Sequence, residues 1–301
     1  MYHRLTSCGT LSGVLRQFAR SNSSAKSRWL NRQQSDPFTK EAKVQGLRSR
    51  AAFKLQQIDD RFRLFRKNAN QSVLDLGYAP GAWSQVALER TSPNGVILGV
   101  DILPCNPPRG VNSIQANILS RKTHELIRIF FSKRFQLYQE DQLHRDHGYF
   151  QHMLEEVMFL SKQEREAGEA TQDVEKHPID VVISDMYEPW PQTTGFWNNF
   201  TNSAYYRMAN TSGVAIKDHC MSMDLCDAAL IAAIDLLKPG GSFLCKLYTG
   251  KEDKLLENRL KRVFKDVQRF KPTASRTESK ELYFVGLRKR KDVDKLKVFL
   301  G

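Results

Sequence analysis

No stretch of 18 consecutive apolar residues occurs in the sequence, which is the length a helix needs to cross a bilayer, so no membrane-spanning helix is expected. Cysteine is scarce. Cys8, Cys105, Cys220, Cys226 and Cys245 form an odd, scattered set without a C-x-x-C pair. That pattern argues against a disulfide scaffold or a zinc site and fits a reducing compartment. Acidic residues are missing from the first 35 positions, Asp36 being the first. What the chain has in excess is positive charge: 46 Lys and Arg against 33 Asp and Glu give +13 over 301 residues. Such an excess points to a polyanionic partner, nucleic acid first and an anionic membrane surface second. With 41% hydrophobic residues the chain can build one packed core, which excludes wholesale disorder.

The acid-free stretch carries Arg4, Arg16, Arg20, Lys26, Arg28 and Arg32 among nine serines and threonines, with Leu5, Leu11, Val14, Leu15 and Phe18 between them. Basic, hydroxyl-rich and mildly apolar is the composition of a mitochondrial presequence. The spacing Arg16-Gln17-Phe18-Ala19-Arg20-Ser21 resembles a matrix-processing signal. We therefore expect a leader over about residues 1–25, its end falling between 18 and 35, and a single domain over 26–301. The alternative is a basic arm that grips RNA directly. Residues 121–178 differ again, with 11 acidic and 9 basic side chains and five of the seven histidines. Leu126, Ile129, Phe130 and Arg134 hint at a helix, but the segment as a whole reads as a polar, solvated insertion. His144, His147 and His152 lack a cysteine or a spaced carboxylate beside them, so no metal site is expected.

Elsewhere, short β-branched runs alternate with helical patterns, which predicts an α/β fold with a doubly wound, mostly parallel sheet and helices on both faces. The predicted strands are Ser72–Leu76, Val96–Asp101, Asn112–Gln115, Ile179–Asp185 and Ser242–Leu247. A helix over Asp224–Leu237 repeats Cys226, Leu230, Ile234 and Leu237 before Pro239-Gly240-Gly241 stops it. Asp75, Asp101, Asp185 and Lys246 each stand at or near the carboxyl end of a strand, where open parallel sheets bind ligands. The loop Asp75-Leu76-Gly77-Tyr78-Ala79-Pro80-Gly81-Ala82-Trp83 follows the first strand and opens a helix. It is not G-x-G-x-x-G, and Pro80 removes one backbone donor from the cradle that a pyrophosphate needs. A nicotinamide dinucleotide is thereby disfavoured, and a nucleoside without pyrophosphate fits better. Asp101 is placed to accept the hydroxyls of its ribose. The combination suits S-adenosyl-L-methionine.

With these segments in view, the chain resembles the FtsJ/RrmJ (RlmE-like) family of ribosomal RNA 2′-O-ribose methyltransferases. The likeness is carried by Arg48-Ser49-Arg50-Ala51-Ala52-Phe53-Lys54-Leu55, the Asp75–Trp83 loop with Ser84-Gln85, Val100-Asp101-Ile102-Leu103-Pro104, Ile183-Ser184-Asp185-Met186, Pro239-Gly240-Gly241-Ser242-Phe243 with Lys246, and Ser279-Lys280-Glu281. It implies a Rossmann-like methyltransferase sheet and places the family's Lys-Asp-Lys-Glu tetrad on Lys54, Asp185, Lys246 and Glu281, with Lys246 as proton acceptor. It implies S-adenosyl-L-methionine contacts from Gly77, Pro80, Gly81, Ala82, Trp83, Asp101, Asn117, Ile118 and Asp185. With the leader, it implies a monomeric enzyme of the mitochondrial matrix that modifies a uridine of large-subunit rRNA, free or in a pre-ribosomal particle. A ribosome-assembly factor with vestigial methyl transfer is the rival within the family. Tyr78, Ala82 and Asn117 depart from its pattern, and Met186-Tyr187-Glu188-Pro189-Trp190-Pro191 is more aromatic than its norm.

Two expectations can be checked against a fold. Glu281 begins the strand-like run Leu282–Leu287, so it reaches Lys246 only if that strand is antiparallel. Lys246 serves as a base only if burial and a neighbouring cation such as Lys54 depress its pKa. Arg48, Arg50, Lys251 and Lys254 are the expected RNA contacts, and Trp190 and Trp197 are candidates for stacking on a base.

Overall fold

A computed structural model describes residues 35–132, 177–188, 190–191 and 208–300. The leader, most of the predicted insertion and its three histidines, Trp197 and the side chain of Trp190 lie outside the described residues. In chain order the elements are α1 (Pro37–Val44), α2 (Ala51–Phe62), β1 (Ser72–Leu76), α3 (Ala82–Thr91), β2 (Val96–Asp101), β3 (Asn112–Gln115), α4 (Arg121–Phe131), β4 (Ile179–Ser184), β5 (Trp190–Pro191), β6 (Met208–Ala209), α5 (Ala215–Leu236), β7 (Leu237–Tyr248), α6 (Asp253–Val263), β8 (Phe264–Phe270), β9 (Glu281–Lys289) and α7 (Lys295–Leu300).

Seven strands form one sheet in the order β3-β2-β1-β4-β7-β9-β8. β3, β2, β1, β4 and β7 pair in parallel; β9 runs antiparallel to both β7 and β8. The antiparallel last strand that Glu281 requires is present, and Glu281 pairs with Tyr248, two residues beyond Lys246. β1 is buried along its whole length because helices cover both faces. Its side chains alternate: Leu74 and Leu76 enter one core with Leu230, Ile234 and Phe243, while Val73 enters the other with Leu55, Ile58, Val86 and Tyr283. Each fully buried leucine or isoleucine there contributes roughly 1.5–3 kcal/mol.

Three boundaries differ from the sequence expectation. Residues 121–131 are not solvated insertion but α4, whose Ile127, Phe130 and Phe131 join the first core. Its His124 is buried, with its ring nitrogens against the Ile118 carbonyl and the Asp235 carboxylate, so its polarity is absorbed inside the fold. α5 begins at Ala215, well before Asp224. Its first turns are polar, and Asp218 anchors them by accepting the Ser212 N–H at 2.6 Å. β7 begins at Leu237, paired with Ile179, and Pro239–Gly241 fall in an irregularity before Ser242 pairs with Val181. Gly241 is required there: a Cβ would stand 2.8 Å from the Asp180 carbonyl oxygen.

Candidate active site

The carboxyl ends of β2, β1, β4 and β7 and the start of β9 lie side by side, and every polar residue singled out there comes to one edge. Lys246 is 4% exposed. Its ammonium donates to the Asp185 backbone carbonyl at 2.8 Å and lies 2.9 Å from the Asp185 carboxylate. The rings of Tyr187 and Tyr248 stand 5.1 and 6.0 Å from the same nitrogen. From the other side, Lys54 on α2 donates to both oxygens of Glu281, at 2.5 and 2.8 Å. Ser275 Oγ donates to Glu281 as well, at 3.3 Å, and so does the fully buried Tyr283 hydroxyl. The four tetrad residues thus form two adjacent ion pairs.

The electrostatics correct one expectation. Burial pulls Lys246 toward the neutral form, but the Asp185 carboxylate, with Tyr248 and Glu281, outweighs it and holds the pKa above the ordinary lysine value. Lys54, the cation expected to depress it, is paired with Glu281 instead. For Glu281 burial likewise opposes ionisation, yet Lys54 and Lys246 together hold its carboxyl below the usual glutamate value.

Gly77 leaves β1 at φ +72°, and a Cβ on it would stand 2.7 Å from Met186 Cγ and 2.9 Å from Met186 Cα. Only glycine lets the loop after β1 lie against the loop after β4. Asp101, at the end of β2, accepts the Ala79 N–H at 3.0 Å and the Leu103 N–H at 2.9 Å. Tyr78, one of the departures from the family pattern, fits because its ring packs over Gly99 and its hydroxyl donates to the Cys105 carbonyl. Asp75 is fully buried, with one oxygen accepting from Ser84 Oγ at 2.6 Å and the other unpartnered among the described residues. Burial first, and then the charges of Asp185 and Asp101, push its pKa up to about 8.

A family model for FtsJ-like methyltransferases matches residues 47–289. The chain belongs to that family. Over 99% of its length it is 62% identical to the protein named rRNA methyltransferase 2, mitochondrial, of Saccharomyces cerevisiae, 98% of which is covered. The protein of that name in Schizosaccharomyces pombe is 33% identical, over 87% of this chain and 95% of the relative. Ribosomal RNA large subunit methyltransferase E of Rickettsia bellii is 32% identical, over 93% and 98%. A crystal structure of a ribosomal RNA methyltransferase from Plasmodium falciparum superposes with a TM-score of 0.51 at 24% identity, over 81% of this chain and all of that one, a likeness of fold.

Within this FtsJ-like methyltransferase several expected ligands have other employment. Trp83 points into the core at 2% exposure, where its indole N–H donates to the Ala51 carbonyl at 3.0 Å and its ring tilts against Tyr283. It ties α3 to α2 and leaves only backbone to a cofactor. Ala82 and Ile118 are buried. Asn117 is exposed and accepts the Leu119 N–H at 3.0 Å, with its amide N–H groups uncommitted among the described residues. Arg48 spends its guanidinium on three carbonyls, those of Pro80 and Asn106 at 2.6 Å and Pro107 at 3.0 Å. Arg50 pairs with Asp36, donates to the Ala274 carbonyl and lies over Phe38. Both arginines, expected on RNA, therefore brace the loops around the site. Lys251 and Lys254, before and within α6, are exposed. Tyr248 and Tyr283 were not singled out from the sequence. Tyr283 had a signal, since it follows Glu281 at the two-residue period of one strand face.

Proposed function

We propose that this chain transfers a methyl group from S-adenosyl-L-methionine to a ribose 2′-hydroxyl, that of a uridine in mitochondrial large-subunit rRNA, with the rRNA or a pre-ribosomal particle as its partner. The observation that carries the reading is Lys246: an amine at 4% exposure, held by Asp185 beside a second ion pair, at the ligand-binding edge of the sheet. The similarity over most of the chain to proteins named for rRNA methylation, two of them mitochondrial, supports the substrate.

The residues suit the cofactor. The charges of Asp185 and Asp101 both raise the Asp75 pKa, so negative charge gathers at this edge and favours a cationic ligand. S-adenosyl-L-methionine, when bound, supplies an electrophilic methyl group on a positively charged sulfur. The same carboxylates disfavour the pyrophosphate of a nicotinamide dinucleotide. Asp101 would hold the cofactor ribose, Gly77 and Gly81 would admit its backbone-side contacts, and Asn117 would meet its adenine. Lys246, once neutral, accepts the proton that the 2′-hydroxyl loses. Asp185 orients the amine through its carbonyl and carboxylate, and the Lys54–Glu281 pair fixes the opposite wall.

Calorimetry tests the cofactor assignment. S-adenosyl-L-methionine should bind and NAD should not; the reverse would replace this reading with an oxidoreductase. Asp101→Ala should weaken S-adenosyl-L-methionine binding by about 10- to 100-fold, the cost of roughly 1.5–3 kcal/mol for a lost charged acceptor. Unchanged affinity would remove Asp101 from the site. The location follows from the leader. Residues 1–35 fused to a reporter should carry it into the mitochondrial matrix and be clipped there. A reporter that stays full-length in the cytosol would assign the basic arm to RNA binding instead.

A further inference from the structure

Arg48 stands just before α2, the helix that carries Lys54, and its guanidinium lies against the loops that follow β1 and β2. The loop after β2 is poor in backbone donors. Within Pro104-Cys105-Asn106-Pro107-Pro108 three of the five residues are prolines, which have no N–H to give. Two side chains supply donors to its carbonyls instead. The Tyr78 hydroxyl donates to that of Cys105, and Arg48 donates to those of Asn106 at 2.6 Å and Pro107 at 3.0 Å. Tyr78 belongs to the loop after β1, and Arg48 reaches that loop as well, donating to the Pro80 carbonyl at 2.6 Å. The two loops are in close contact, since a Cβ on Gly81 would stand 2.7 Å from Pro108 Cδ.

Arg48 is itself held in place. Its backbone N–H donates to Gln85 Oε1 at 3.1 Å, and Gln85 Nε2 donates to the Gly46 carbonyl at 3.1 Å. Gln85 lies in the first turn of α3, the helix that the loop after β1 opens. A guanidinium suits the position because its five N–H groups form a rigid planar fork. Three of the five meet carbonyls from two different loops, which the compact ammonium of a lysine cannot do at once.

Resting on the S-adenosyl-L-methionine reading, we infer that Arg48 is a positioning residue of the cofactor site: it clasps the loop after β1 to the loop after β2 and so sets the affinity for the cofactor, not for RNA. Gly77 and Gly81 lie in one of the clasped loops, and Asp101 stands at the start of the other. With the loops already joined in the free chain, less ordering remains to be done when the cofactor binds. The charge that looked like a phosphate contact is thereby given an internal use.

Two variants of the full-length protein test this. Arg48→Met keeps the stem and removes every side-chain N–H; Arg48→Lys keeps the charge but not the fork. By calorimetry, Arg48→Met should bind S-adenosyl-L-methionine about tenfold more weakly, a moderate factor because Arg48 is exposed and water can meet the freed carbonyls. Arg48→Lys should fall between it and the wild type. Affinity for the rRNA transcript should stay within about twofold in both, with the same salt dependence. In methylation assays the loss should sit in the KM for S-adenosyl-L-methionine, so raising the cofactor restores the rate. A general loss of folded protein would lower kcat instead. Urea midpoints check folding, and if Arg48→Met does not fold, the lysine variant carries the test. Unchanged cofactor affinity in the variants overturns the clasp. So does weakened RNA binding in Arg48→Met with a salt slope lower by about one, the mark of a lost phosphate contact. A wild type that binds no S-adenosyl-L-methionine removes the parent reading and the clasp with it, whereas wild-type binding with unaffected variants removes the clasp alone.

Discussion

Lys246→Met should abolish methyl transfer, with a loss of at least 10²–10⁴-fold, the usual contribution of a positioned general base. S-adenosyl-L-methionine affinity should stay within a few-fold, because the lysine acts on the hydroxyl and mainly in the transition state. Lys246→Arg should fail too, since a guanidinium does not release its proton at workable pH. The pH profile carries the more specific expectation. Only the neutral amine accepts a proton, and Asp185 keeps Lys246 charged beyond the ordinary lysine range. Below that pKa the neutral fraction rises tenfold with each pH unit. The log of the single-turnover rate should therefore climb with a slope near one through pH 7–9 and show no plateau there. Asp185→Asn removes the charge that opposes burial, so whatever activity survives should level off at lower pH. Near-wild-type turnover by Lys246→Arg would mean that the proton leaves by another route.

Lys54→Met should destabilise the fold by about 3–5 kcal/mol, the cost of removing one partner from a buried ion pair. Glu281 is 7% exposed and has its carboxyl pulled below the usual value by Lys54 and Lys246. Without Lys54 it stays buried with Tyr283, Ser275 and the more distant Lys246. A folded-state pKa below the unfolded one gives stability that is present above the unfolded value and lost as pH falls through the folded value. The penalty of Lys54→Met should hence be full at pH 7 and shrink toward pH 4, where Glu281 protonates in the unfolded chain and in the variant. Urea denaturation at the two pH values reads this directly. A penalty independent of pH would mean that Lys54 matters through its packed stem alone.

The strands β1 and β2 were legible to the residue because buried parallel strands read as short apolar runs, and the edge strand β3 was legible from Ile114 between polar neighbours bounded by Gly110 and Asn117. The antiparallel β9 followed from chemistry rather than periodicity, since Glu281 had to reach Lys246. The burial of α4 was hidden by its own polarity: Arg121, Lys122, Glu125 and Arg128 outvoted the apolar Ile127, Phe130 and Phe131 of its buried face, and nothing local says that His124 meets Asp235, 111 positions away. The polar first turns of α5 were hidden in the same way. Arg48 and Arg50 looked like RNA contacts because composition cannot see the carbonyls and the carboxylate that engage them. The charge on Lys246 was misjudged for a related reason. Burial was readable from the apolar flanks, but the carboxylate that overrules it arrives from a strand 61 residues earlier.

The most direct measurement is a map of 2′-O-methylated nucleotides in mitochondrial large-subunit rRNA, made from cells with the intact gene, without it, and with Lys246→Met in its place. The account predicts one uridine that is 2′-O-methylated with the intact chain and unmodified in both other cases. A modification pattern identical in all three, or a lost methyl group that sits on a base, would contradict it.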